Sequence, residues 1–83
     1  MSRHIAVYTS ATCPYCVMLK RFLDEKGLPY EERNISLDRR YIADLQEMGI
    51  NGVPVTVIDD REVVIGYQPE EILALVGSAG GAG

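Results

Sequence analysis

Hydrophobic and polar positions along the chain follow two periods, which predict strands in some segments and helices in others. Short runs rich in β-branched and aromatic residues suit strands, and apolar residues that recur every three or four positions suit amphipathic helices. The strands are predicted at residues 4–9 and 30–35 and in a hairpin from Val55 to Ile65, with helices between them and after the hairpin. The resulting order is βαβαββα. A βαβ crossover joins parallel strands and a hairpin joins antiparallel ones, so we expect an α/β fold with a four-stranded mixed sheet and three helices.

Capping residues predict where the helices begin and end. Proline suits the first position of a helix because its φ is fixed and its missing N–H would have no partner there, so the first and third helices should begin at Pro14 and Pro69. Ser36 or Asp38 is the expected cap of the second helix. Glycine favours the left-handed conformation that ends many helices, and the helices are expected to end at Gly27, Gly49 and Gly77.

The second helix and the hairpin turn carry further expectations. Apolar residues at helical spacing should point inward from the second helix, and these are Tyr41, Ile42, Leu45 and Met48. The hairpin is expected to turn at Asp59, Asp60 and Arg61. Aspartate suits this turn because it tolerates the left-handed backbone conformations that tight turns require.

Length and charge restrict the class of protein. The 83 residues suit one domain, which we place at residues 1–76, followed by a flexible glycine-rich tail at residues 77–83. Eight basic and twelve acidic residues give a net charge of −4 without a basic stripe, so we expect no nucleic-acid partner. No apolar run approaches the ~18 residues of a membrane span, and the first residues lack a signal-peptide pattern. We therefore expect a cytoplasmic protein with no membrane partner.

The two cysteines lie in the sequence CPYC at the start of the first helix. Cys13 should be the more exposed, because it falls where the first backbone N–H groups of the helix lack partners. Cys16 follows one turn later on the apolar stripe of this helix, so it should be buried. We expect the amides of Tyr15 and Cys16 to donate hydrogen bonds to the Cys13 sulfur and stabilise its thiolate, whereas Pro14 has no N–H to donate. This asymmetry suits a dithiol pair in which one sulfur attacks a disulfide and the other resolves it.

Other uses of two cysteines stay open. A zinc site within the chain is disfavoured, because zinc needs about four ligands and His4 is the sole histidine. An iron–sulfur cluster would need thiols pooled between chains or supplied from outside. The cysteines could also be two ordinary buried residues, although a CxxC between a strand and a helix is typical of redox proteins.

The motif TCPYC before a helix, with GVPVTVI further along, resembles a glutaredoxin from Arg3 to Val76. This resemblance implies a thioredoxin-like fold in which Cys13 is the nucleophile and Cys16 the resolving thiol. It also implies a cis peptide bond between Val53 and Pro54, the alternative being a trans proline that opens a strand. The substrate-binding residues implied by the resemblance are Thr12, Pro14, Tyr15, Val53, Pro54 and Tyr67.

The chain departs from glutaredoxins that use glutathione at three places. Ser10 stands where they commonly have a lysine, Gly52 stands where they usually have a threonine, and Gly66 with Tyr67 replaces their pair of glycines. The segment around Tyr67 is more similar to NrdH redoxins, although Gln68 replaces the arginine of their pattern. Tyr67 offers an amphipathic surface to a protein partner, or else it covers the sheet edge.

These similarities imply how the protein obtains and transfers electrons. We expect no tightly bound cofactor, disulfide-containing proteins as substrates, and a monomer. Thioredoxin reductase is the favoured electron donor and glutathione, as a co-substrate, is the alternative; NADPH would act indirectly through a reductase. Ribonucleotide reductase is one candidate acceptor. The alternative function is a dimeric iron–sulfur binding module that uses Cys13.

Overall fold

One four-stranded mixed sheet organises the computed structural model, which describes residues 4–81 and the side chains of residues 4–76. The strands are β1 Ile5–Thr9, β2 Glu31–Asn34, β3 Val55–Ile58 and β4 Glu62–Ile65. Their order across the sheet is β2-β1-β3-β4, with β1 parallel to β2 and antiparallel to β3, and β3 antiparallel to β4. The predicted element order and the mixed sheet are therefore confirmed.

The helices are α1 Pro14–Glu25, α2 Arg40–Glu47 and α3 Pro69–Gly81. Gly27 and Gly49 follow the first two helices in left-handed conformations, with φ of 67° and 74°, as expected. The expectation that α3 ends at Gly77 is wrong, since the helix runs on to Gly81. A flexible tail from residue 77 stays a prediction, and residues 82 and 83 lie outside the described part of the chain.

The two candidate caps of α2, Ser36 and Asp38, have different roles in the structure. Arg39 occupies the N-cap position without a side-chain hydrogen bond, while the carboxylate of Asp38 accepts the backbone N–H of Arg40 at 2.9 Å. The guanidinium of Arg40 also binds this carboxylate and lowers the pKa of Asp38 to about 2. Ser36 instead accepts the N–H of Ala11 at 3.0 Å, so it ties two loops together. Asp38 therefore acts at this helix start, and Ser36 does not.

Apolar side chains cover both faces of the sheet. Helices α1 and α3 pack on one face, where the buried cluster consists of Ile5, Val7, Leu19, Leu23, Ile58, Val64 and Ile72. Helix α2 packs on the other face, where the buried cluster consists of Tyr8, Leu45, Val55 and Val57. This arrangement follows from the alternation of side chains along β1 and β3, since neighbouring residues of a strand point to opposite faces.

The prediction for the inner face of α2 is wrong at two residues. Leu45 is buried and Tyr41 is half-buried against the same cluster, but Ile42 and Met48 are 38% and 37% exposed. Helix α2 is only eight residues long, so it covers a small part of the sheet. The apolar face of α2 is therefore wider than the area of the sheet that α2 covers.

The predicted hairpin turn is confirmed. Asp59 and Asp60 both adopt left-handed conformations, with φ of 56° and 58°, and the N–H of Arg61 donates to the carbonyl of Ile58 at 3.1 Å. Two consecutive left-handed residues match the twist of the flanking strands.

Candidate active site

Strand register brings three separate loops to one edge of the sheet. Tyr8 near the end of β1 pairs with Val55 at the start of β3, and Val55 pairs with Ile65 at the end of β4. The loop after β1 leads into the two cysteines, the loop before β3 carries Val53–Pro54, and the loop after β4 carries Gly66–Tyr67. The fold therefore places these three loops, which carry the sequence motifs of the resemblance to glutaredoxins, side by side.

Cys13 occupies the N-cap position of α1 and is partly exposed. Its backbone is extended, with φ −101° and ψ 108°, and its sulfur accepts the backbone N–H of Cys16 at 3.1 Å. Its S–H faces the carbonyl oxygen of Val53 at 3.8 Å. The expected second donor, the amide of Tyr15, makes no hydrogen bond to this sulfur in the described part of the chain. One backbone amide thus bonds the sulfur at the amino end of the helix.

Cys16 is buried behind Cys13, with 1% of its surface exposed. Burial is the main cause that raises the pKa of Cys16 to about 12; the hydrogen bond and charge of Cys13 act in the same direction, whereas a backbone hydrogen bond from Ser10 and the charge of Lys20 oppose the shift. Neither cysteine is in a disulfide here. The two thiols therefore differ in exposure and in hydrogen bonding, as the helical period predicts.

The Val53–Pro54 peptide bond is cis, as the resemblance implies. Pro54 is buried and its carbonyl accepts the N–H of Gly66 at 2.8 Å, which fixes the loop after β4 beside the loop before β3. Val53 is half-buried, and within residues 4–81 its backbone N–H has no acceptor. A free N–H and a carbonyl next to the Cys13 sulfur offer main-chain pairing to an extended peptide.

The remaining predicted substrate-binding residues differ in exposure. Thr12 and Pro14 are exposed, and the side chain of Tyr15 is 59% exposed at the tip of α1. Tyr67 is half-buried and packs against the cluster under α1 and α3. Tyr67 therefore covers part of the core and also presents a surface to solvent at the site edge.

A polar network beside Cys16 was missed by the sequence reasoning. The hydroxyl of Thr9, which is fully buried at the end of β1, donates to a carboxylate oxygen of Glu32 at 2.8 Å. The ammonium of Lys20 donates to the same oxygen at 2.9 Å, and these two hydrogen bonds lower the pKa of Glu32. One signal was present in the sequence, since Lys20 lies four residues after Cys16 on the same helix.

Among the described residues, no group of three or more histidine, cysteine, aspartate or glutamate side chains is placed to hold a metal ion. Within the same part of the chain, no helix has the length and apolarity needed to cross a bilayer.

Comparisons with known proteins agree with this geometry. The glutaredoxin family model matches residues 5–63. The glutaredoxin-like protein NrdH of Lactococcus lactis is 31% identical over 71 residues, which cover 86% of this chain and 97% of that protein. The structure of the glutaredoxin-like NrdH-redoxin from Escherichia coli, a protein with a thioredoxin-like activity profile, has a TM-score of 0.79 at 26% identity and covers 87% and 93% of the two chains. The thioredoxin-like protein BC3987 has a TM-score of 0.78 at 38% identity, with 86% and 97% covered.

Proposed function

The chain belongs to the glutaredoxin family of thiol–disulfide oxidoreductases, and from this premise we propose that it reduces protein disulfides through Cys13 and Cys16. The observation that carries the proposal is the pairing of a partly exposed sulfur with a buried one. The amide nitrogen of Cys16 lies 3.1 Å from the Cys13 sulfur, so the two residues are in direct contact.

The proposed reaction has two exchange steps. The thiolate of Cys13 attacks one sulfur of the substrate disulfide, the substrate S–S bond breaks, and the released sulfur takes up a proton. Cys16 then loses its proton and attacks the sulfur of Cys13, which breaks the mixed disulfide and releases the second substrate thiol. Two electrons and two protons reach the substrate, and the protein is left with a Cys13–Cys16 disulfide.

The surroundings of Cys13 supply the groups that such an exchange uses. The N–H of Cys16 stabilises negative charge on the attacking sulfur, and later on the same sulfur as a leaving group. Val53 offers its N–H and carbonyl to an extended substrate, and the exposed Thr12, Pro14 and Tyr15 contact it from the helix tip. Pro54 and Tyr67 complete the edge of this surface.

Cysteine variants test the proposal with a disulfide-containing peptide as substrate. We expect Cys13→Ser to abolish reduction, because no sulfur is left to attack. We expect Cys16→Ser to accumulate a mixed disulfide with the peptide, because the resolving thiol is missing. Full dithiol activity in Cys13→Ser would refute the proposal.

For the electron donor, we propose thioredoxin reductase, with glutathione as the alternative co-substrate. Ser10 stands where glutaredoxins that use glutathione commonly have a lysine, so that cation is missing as a partner for a glutathione carboxylate. The NrdH-redoxin from Escherichia coli has a thioredoxin-like activity profile. Coupled NADPH oxidation with each reducing system separates the two donors. Rapid turnover with glutathione and none with thioredoxin reductase would reverse this assignment.

We propose that the protein is a monomer in the cytoplasm, which is a reducing compartment that favours the dithiol form. Ribonucleotide reductase is a candidate acceptor, because relatives named NrdH match most of the chain. The alternative function is a dimeric iron–sulfur module that uses Cys13. Visible absorbance of protein purified without oxygen tests that alternative.

A further inference from the structure

The resolving step of the proposed reaction requires a negative charge on a buried sulfur. Cys16 is 1% exposed, and burial is the main cause of its raised pKa. In this step a bond forms between the sulfurs of Cys16 and Cys13, the bond between Cys13 and the substrate breaks, and the proton of Cys16 ends on the released substrate thiol. A nearby positive charge or N–H donor would stabilise the thiolate of Cys16 as it attacks.

Lys20 lies one helical turn after Cys16 on α1, so the two side chains are neighbours on this helix. The ammonium of Lys20 donates to a carboxylate oxygen of Glu32 at 2.9 Å, and the buried hydroxyl of Thr9 donates to the same oxygen at 2.8 Å. Glu32 pairs with Val7 in the register of β1 and β2, so its side chain is on the sheet face that α1 covers. Groups from α1, β1 and β2 therefore hold the ammonium in place.

The groups that act on the charge of Cys16 come from two elements. From α1, negative charge on Cys13 opposes the ionisation of Cys16, and the positive charge of Lys20 favours it. From the loop after β1, a backbone hydrogen bond from Ser10 also favours it. Lys20 is therefore the side chain whose charge assists the buried sulfur.

Lys20 is held in its charged form. Its hydrogen bond to Glu32 is the main cause that raises the pKa of Lys20, and burial opposes this shift. Negative charge on Glu32, Tyr30 and Cys16 acts in the same direction as the hydrogen bond. The side chains of Lys20 and Glu32 are 30% and 33% exposed, so water and salt screen them less than a fully exposed pair.

We propose that Lys20, held by Glu32, is a positioning residue of the resolving step, in which its positive charge stabilises the attacking thiolate of Cys16. The inference rests on the proposed function, in which Cys16 attacks Cys13. Attack of Cys13 on the substrate needs no charge on Cys16. Loss of Lys20 should therefore slow the second exchange step and leave the first unchanged.

Stopped-flow mixing of the prereduced protein with dithiodipyridine, a neutral disulfide, separates the two steps. Each step releases one equivalent of pyridinethione, which is followed by its absorbance. The rate of the first phase rises with the concentration of the disulfide, and the rate of the second does not. The neutral disulfide avoids a direct attraction between the substrate and Lys20.

We expect Lys20→Met to slow the second phase about threefold at pH 7. An opposite charge within about 4–6 Å shifts a pKa by about 1–3 units, and we take the low end because Lys20 is partly exposed and paired with Glu32. Loss of about one unit reduces the thiolate fraction of Cys16 about tenfold and raises its nucleophilicity about threefold, which gives the threefold slowing. Lys20→Arg keeps the charge and should retain most of the wild-type rate.

Two further variants separate the charge of Lys20 from other effects. Lys26→Met makes the same substitution at the C-cap of α1, at the far end of the helix from Cys16, and should leave both phases unchanged. The double variant Lys20→Met/Glu32→Gln removes both members of the ion pair, and its second phase should stay slow. Recovery to the wild-type rate would show that an unpaired Glu32 carboxylate causes the slowing, and it would overturn the proposal.

Three other results would also overturn it. These are an unchanged second phase in Lys20→Met, equal slowing of both phases in that variant, and a second phase in Lys20→Arg as slow as in Lys20→Met. If the wild-type protein releases no second equivalent of pyridinethione, the proposed function fails instead.

Discussion

Slow alkylation of Cys16 is the expected consequence of its burial, and Cys13→Ser isolates it for measurement. The pKa of Cys16 rises from an ordinary value of 9.0 to about 12, mainly because the thiol is buried. At pH 8 this change reduces the thiolate fraction from about one in ten to about one in ten thousand. A more basic thiolate is also a better nucleophile, by about 20-fold over three pKa units at a Brønsted slope near 0.45.

The net effect of ionisation is an alkylation rate about 40-fold below that of an ordinary cysteine. The charge and the hydrogen bond of Cys13 also raise the pKa of Cys16, and Cys13→Ser removes the charge and alters the hydrogen bond. If the pKa of Cys16 falls by about one unit in this variant, its alkylation rate is still about tenfold below that of an ordinary cysteine. Limited access to the buried sulfur lowers the rate further.

The assay follows iodoacetamide labelling of Cys13→Ser by mass spectrometry at pH 8, in the folded protein and in the same variant unfolded by denaturant. A peptide with one cysteine, labelled under both solvent conditions, corrects for the effect of the denaturant on the reaction. Labelling of folded Cys16 within threefold of the unfolded chain would refute the argument from burial.

Three further predictions concern stability. Thr56 is fully buried and its hydroxyl has no hydrogen-bond partner in the described part of the chain, so Thr56→Val should raise the free energy of unfolding by about 1–2 kcal/mol in urea titrations; an unchanged midpoint would contradict this. Asp60 has φ of 58°, which glycine adopts without strain, so Asp60→Gly should stabilise the hairpin by about 0.5–1 kcal/mol, seen as a higher Tm. Lys20→Met should lower the free energy of unfolding by about 0.2–1 kcal/mol at pH 7, because it removes the ion pair with Glu32. The pKa of Glu32 is lowered in the folded protein, so this pair stabilises above the ordinary value of 4.5, and the difference from wild type should vanish as pH falls through the folded pKa. If the difference in the free energy of unfolding between Lys20→Met and wild type does not change with pH, the ion pair is not the cause of that difference.

Local patterns were sufficient for the features that depend on a few neighbouring residues. The turn at Asp59 and Asp60 follows from the backbone preferences of aspartate between two strands. The burial of Cys16 follows from helical spacing, because three residues after Cys13 it falls on the apolar stripe of α1. These outcomes needed no knowledge of the distant chain.

Features that depend on what lies across the sheet could not be predicted in the same way. Helical spacing shows that Ile42 is on the apolar face of α2, but it does not show how small a part of the sheet this eight-residue helix covers. The hydrogen bonds of Glu32 join residues 12 and 23 positions away, on α1 and β1. Such contacts depend on which strands become neighbours, and this is a property of the tertiary fold.

The division of roles between the two sulfurs is tested most directly by a single turnover stopped with acid. Prereduced wild-type protein is mixed with a disulfide peptide, quenched within the first turnover, and digested so that the cysteine joined to the peptide can be identified by mass spectrometry. We expect the peptide on Cys13, with Cys16 still a thiol. The peptide found on Cys16, or equally on both, would contradict the account.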